Sequence, residues 1–106
     1  MELSQEKCIP CQVGTPVIPR EEAEELAKEI PHWTLKDKSI EREFVLKDFR
    51  EAIDFINEVA DIAESQDHHP DICAYYNKVK IELSTHKIGG LSRNDFIMAS
   101  KIDRII

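Results

Sequence analysis

Residues 67–86 read DHHPDICAYYNKVKIELSTH and hold three of the four histidines in a chain of 106 residues. His68 and His69 are adjacent, and His86 closes a run that alternates as a β-strand does. Pro70 biases His69 toward extended backbone and marks the end of a preceding helix. Beyond it, residues 72–76 and 78–85 read as the strands of a hairpin turning at Asn77-Lys78, where asparagine tolerates positive φ. In the second strand Val79, Ile81, Leu83 and Thr85 share one face. His86 has the opposite parity, so it is not expected in the core. A hairpin brings its outer ends together, which places His86 near His68 and His69.

Reading outward from this hairpin gives the fold. Before it, a long helix is predicted from Lys47 to Ser65, with Phe49, Ala52, Ile53, Ile56, Val59, Ala60 and Ala63 at helical spacing. Phe55 and Ile62 lie to one side of that stripe and widen the apolar arc to roughly half the circumference. One sheet face needs less, so the surplus calls for a second partner. Two strands precede the helix, His32–Lys36 and Ile40–Leu46, joined by the polar turn Asp37-Lys38-Ser39. Ile40, Phe44 and Leu46 share a parity with Arg42 as the exception. A first helix runs from Pro19 to Ile30, opened by proline and by Glu21 and Glu22 at the positive end of its dipole. A last helix runs from Ser92 to Ile106, capped by Ser92 or Asn94. The order α-β-β-α-β-β-α defines an α+β domain, a four-stranded antiparallel sheet with three helices on one face. Residues 1–18 read as an extended, loosely structured N-terminal arm, and 19–106 as the domain.

Composition narrows the function. At 106 residues, 42% apolar and 33% charged, the chain reads as one soluble globular domain. No apolar run approaches the ~20 residues of a membrane span and no signal-peptide pattern opens the chain, so a cytoplasmic location is expected. The net charge of −7 argues against direct nucleic-acid binding, which needs a basic face. Cys8-x2-Cys11 precedes Gly14 and two prolines, whereas a redox dithiol usually opens a helix. A structural zinc needs four ligands and only Cys73 remains, expected to be buried in its strand. The pair is read as part of a non-catalytic arm.

Three imidazoles near Glu64, Asp67, Asp71 and Asp95 raise the question of a metal. Consecutive residues in extended chain point apart, so His68 and His69 do not easily face one ion, and no i, i+4 histidine pair exists. Proton transfer suits the residues better. Imidazole is the side chain whose unperturbed pKa lies near working pH, and neighbouring carboxylates can fix its tautomer.

The segment Glu64-x3-His68-His69-Pro70-x5-Tyr76-x9-His86 resembles the signature of the pterin-4a-carbinolamine dehydratases. "YNKV" at 76–79, "LSTH" at 83–86, "GLS" at 90–92 with Asp95, and Trp33 after the first helix extend the likeness over residues 19–104. One departure is Ile72, where many members carry tryptophan; another is the arm. The resemblance implies a hydro-lyase that converts 4a-hydroxytetrahydrobiopterin to quinonoid dihydrobiopterin plus water, in the recycling of tetrahydrobiopterin. It implies His68, His69 and His86 as catalytic residues lining a pterin pocket, with Glu64, Asp67, Pro70, Thr85 and Asp95 binding or supporting. No metal and no cofactor are expected. It also implies a homo-oligomer, dimer or tetramer, formed through helix packing and sheet edges. Two alternatives share the residues: a protein-binding dimerisation cofactor or transcriptional coactivator using the broad helix face, and a pterin dehydratase serving molybdopterin metabolism.

Overall fold

The computed structural model describes residues 2–10 and 12–106. Its elements are α1 (Arg20–Ala27), β1 (Thr34–Leu35), β2 (Ile40–Val45), α2 (Phe49–Gln66), β3 (Asp71–Tyr75), β4 (Lys78–Leu83) and α3 (Arg93–Asp103). Short 3-10 turns add Leu3–Gln5 and His86–Ile88. The strands form one antiparallel sheet in the order β1-β2-β4-β3, so the expected α+β class and element order hold. Among the described residues no helix is long and apolar enough to cross a membrane.

The core follows from strand parity. Val79, Ile81 and Leu83 of the central β4, with Ile40 and Phe44 of β2, are buried on the face covered by helices. Trp33 meets Phe44 edge-on with ring centroids 6.1 Å apart, and Phe44 meets Phe55 at 4.7 Å. Arg42, the parity exception, also faces the helix layer. Its guanidinium lies 4.3 Å from the Phe44 ring centroid and donates to Asp103 Oδ1 at 2.7 Å, an oxygen that also accepts from Trp33 Nε1. An arginine in the apolar register is thus satisfied at the layer's rim.

Helix α2 begins where Asp48 accepts from the Glu51 amide at 2.8 Å. It ends on Asp67, which takes the left-handed conformation (φ 52°, ψ 43°) and donates its amide to Ala63 O. Ala52, Phe55, Val59 and Ala63 face the sheet. Phe55 therefore is core, only 3% exposed, and not the surplus that the sequence pattern makes of it. Ile62 is half-buried against the same core. The reason is the aromatic cluster: Phe44 and Trp33 draw Phe55 inward and rotate the helix about its axis. What remains unpartnered is Phe49, 51% exposed, and Ile53, 36% exposed, continued by half-buried Ile56 and exposed Ala60.

The hairpin differs from expectation by one residue. Tyr75 pairs with Lys78, so the turn is Tyr76-Asn77, and Tyr76 carries the positive φ of 57°. Asn77 is committed elsewhere: its Nδ2 donates to Leu46 O at 3.1 Å and its carbonyl accepts from the Leu46 amide at 2.8 Å. Strand β3 is a sheet edge, and Cys73 lies on its open face, exposed where burial is expected.

The N-terminal segment is not loose. Leu3 is buried, Ser4 O accepts from Lys101 Nζ at 2.8 Å, and Glu6 takes two bonds from Arg93 at 2.8 and 2.7 Å. Cys8 donates its amide to Gln66 Oε1 at 2.9 Å; Cys11 lies outside the described residues. The Arg93 hydrogen bonds hold the Glu6 carboxyl below the usual carboxylate range. A carboxylate depressed in the folded state stabilises it above the unfolded pKa and loses that contribution as pH falls through the folded value. Relative to the intrinsic exchange rate at each pH, amides of residues 3–9 are therefore expected to be less protected at pH ~3 than at neutrality. Arg93→Gln should raise exchange at neutral pH and flatten this dependence.

Candidate active site

The site is built where three element ends meet. Asp67 turns the chain out of α2, Pro70 blocks further helix, and His68 donates its amide to Ala63 O at 3.2 Å, which sets its direction. Its ring points inward: Nε2 lies 2.7 Å from Asp95 Oδ1, with the His68 side chain 11% exposed and that of Asp95 fully buried. Asp95 Oδ2 accepts from Thr85 Oγ1 and from the Ser92 amide, each at 2.9 Å. The Thr85 and Ser92 hydroxyls lie 2.7 Å apart. One buried carboxylate thus ties the end of α2, the strand-to-turn junction after β4 and the start of α3. Among the described residues every buried side-chain polar atom has a partner.

His69 points the other way. Its Nε2 lies 2.6 Å from Glu64 Oε2, and both side chains are mostly exposed. The two rings thus take different carboxylate partners, one buried and one exposed. His86 is exposed and opens the 3-10 turn directly after Thr85. The ladder ends at Leu83 and Thr85 bridges Gly90 instead, yet burial still alternates through Thr85, and His86 is exposed as its parity requires. Gly90 passes so close to Val17 that a Cβ there would lie 2.7 Å from its Cγ1. Asp71, Glu82 and their strands bring the two hairpin ends to one side of the sheet, the end at which His68, His69 and His86 stand.

The structure thus joins His68, Thr85 and Asp95 directly and pairs His69 with Glu64. Asp67 and Thr85 both line a pocket of about 120 Å³ beside them. Pro70 is half-buried and acts through the backbone. Among the described residues no three histidines, cysteines or carboxylates converge as metal ligands. Ser92 was readable only as a cap, yet the spacing Ser92-x2-Asp95 is a capping-box spacing that already tied Asp95 to the helix start. Asn94, the other cap candidate, instead holds Ile9: its Oδ1 accepts from the Ile9 amide at 2.9 Å and its Nδ2 donates to Ile9 O at 2.6 Å.

Comparison with known proteins bears on this geometry. In fold and layout the chain is similar to a crystal structure titled transcriptional coactivator/pterin dehydratase from Brucella melitensis, with a TM-score of 0.80 and 33% identity over 84% of this chain and 97% of that one. The family model for pterin 4 alpha carbinolamine dehydratase matches residues 16–105, and the chain belongs to that family. Relatives bearing the family's name include one from Rubrobacter xylanophilus, 45% identical over 105 residues and covering 98% of both chains. Another, from Nitrosomonas eutropha, is 43% identical over 106 residues, with 99% of this chain and 94% of that one covered.

Proposed function

We propose that the protein dehydrates 4a-hydroxytetrahydropterins, 4a-hydroxytetrahydrobiopterin among them, by histidine acid–base catalysis. The observation that carries this reading is the buried Asp95 bound to His68, beside two exposed histidines at the same end of the sheet. The reaction needs a base for the N5 proton and an acid for the departing 4a-oxygen. The C4a–O bond breaks, the oxygen leaves as water, and a C4a–N5 double bond forms.

The side chains meet those needs. A carboxylate only accepts, so with Asp95 ionised the His68 proton sits on Nε2 and Nδ1 is left to face substrate. Thr85 and the Ser92 amide fill the other Asp95 oxygen and stop the carboxylate from rotating. His69, steadied by Glu64, and His86 stand in contact with water, where a proton can be taken up or released. Tetrahydrobiopterin recycling is the pathway such a product serves.

Turnover of enzymatically generated 4a-hydroxytetrahydropterin by the purified protein tests the reading. We expect turnover without added metal; activity abolished by a chelator and restored by zinc would contradict it.

The unpartnered stripe Phe49-Ile53-Ile56-Ala60 on α2 supports a homo-oligomer, since exposed apolar patches of this kind mark association surfaces. Ile53→Glu should lower the sedimenting mass while leaving the far-ultraviolet circular dichroism intact. A wild-type protein that sediments as a monomer at micromolar concentration would rule the assembly out.

A further inference from the structure

A pocket lined by Asp67, which precedes His68, and by Thr85 and Lys87, which flank His86, has walls from two parts of the chain. Asp67 and Thr85 form one side, and Cys8, Ile9 and Pro10 of the N-terminal segment form the other. Thr85 also donates to the Asp95 that holds His68, so pocket and proton-transfer network share a residue. The N-terminal wall is fastened at two points. Gln66, which precedes Asp67, accepts from the Cys8 amide, and Asn94, which precedes Asp95, holds Ile9 through both of its amide atoms. Both fasteners are thus neighbours in sequence of site carboxylates.

At about 120 Å³ the pocket is smaller than the ~300–1,000 Å³ that encloses a whole drug-sized ligand, so it suits one edge of a flat heterocycle. Its apolar side comes from Ile9 and Pro10, its polar side from Gln66, Asp67, Thr85, Lys87 and Asn94. That division matches a bicyclic ring with a polar rim. We propose that the segment Cys8–Pro10 is a wall of the pterin-binding site and sets substrate affinity, a role that rests on the dehydratase reading above. It is fastened to Gln66 and Asn94 and, among the described residues, makes no hydrogen bond to Asp95 or to a histidine, so it shapes the pocket without joining the proton-transfer network. Its contribution is therefore the same in ground and transition states, which changes KM and not kcat.

Two experiments on the full-length chain test this. Asn94→Ala, which frees Ile9, should raise KM about fivefold or more with kcat within about twofold. Because that variant also borders Asp95, a second measurement keeps the native wall. In a Cys11→Ser/Cys73→Ser background, saturating dihydrobiopterin should slow alkylation of Cys8 by N-ethylmaleimide about tenfold, the occlusion expected of a bound ligand. Turnover with an unchanged KM and an unprotected Cys8 would overturn the role of the wall alone. A wild-type protein that neither turns over the carbinolamine nor binds dihydrobiopterin would overturn both the wall and the dehydratase reading.

Discussion

His69→Ala and His86→Ala should each lower carbinolamine turnover by about 10²-fold, the usual worth of one positioned acid or base. Both side chains are exposed, so neither substitution opens a cavity and the melting temperature should stay near that of the parent. His68→Ala should also impair turnover, with some loss of stability because its ring meets a fully buried carboxylate. His32 is exposed at the far end of the chain's first strand region, beside buried Trp33, and His32→Ala should leave turnover nearly unchanged. The comparison separates chemistry from general damage. Full activity in His86→Ala together with loss in His32→Ala would show that the site is elsewhere.

Asp95→Ala should have the largest effect on both stability and activity. The substitution leaves Thr85 Oγ1, the Ser92 amide and His68 Nε2 without their acceptor in a buried place. Each such donor left without an acceptor costs about 1–3 kcal/mol. Taking about 3 kcal/mol as the combined effect, the melting temperature of a domain this size falls by roughly 12–24 °C. Asp95→Asn distinguishes the two roles. Its oxygen can still accept from Thr85 and Ser92, so much of the stability should return. Its amide, however, would face His68 Nε2 with a donor, which forces the ring proton to Nδ1 and removes the lone pair offered to substrate. We expect a folded protein with turnover reduced at least tenfold. Calorimetry and kinetics on the two variants check both halves; a fully active Asp95→Asn would exclude the tautomer argument.

Strand parity and helical spacing made the element order readable, because each reports a local period. The expectation that adjacent His68 and His69 point apart matches their separate partners, Asp95 and Glu64. Rotation of α2 was not readable: stripes through Phe49-Ile53 and through Phe55-Val59 are comparably apolar, and only the aromatic partners Phe44 and Trp33 choose between them. The turn slipped by one residue for a similar reason, since Asn77 answers to Leu46 across the sheet rather than to its own hairpin. Docking of residues 3–9 left no pattern at all. It rests on a few bonds that tie Glu6, Cys8 and Ile9 to side chains distant in sequence. Cys73 was misplaced because strand context cannot say which face of an edge strand is covered.

The pairing of β2 with β4 across the whole of α2 bears on how the molecule is made. Each hairpin can zip locally, but the sheet closes only after the intervening helix has brought its ends together, and such non-local closure is slow. The Asp95 junction needs α2, β4 and α3 at once. A fragment missing any one of these elements has a sheet edge or a helix to offer but no seat for His68. The His68–Asp95 contact therefore reports that all three elements are in place.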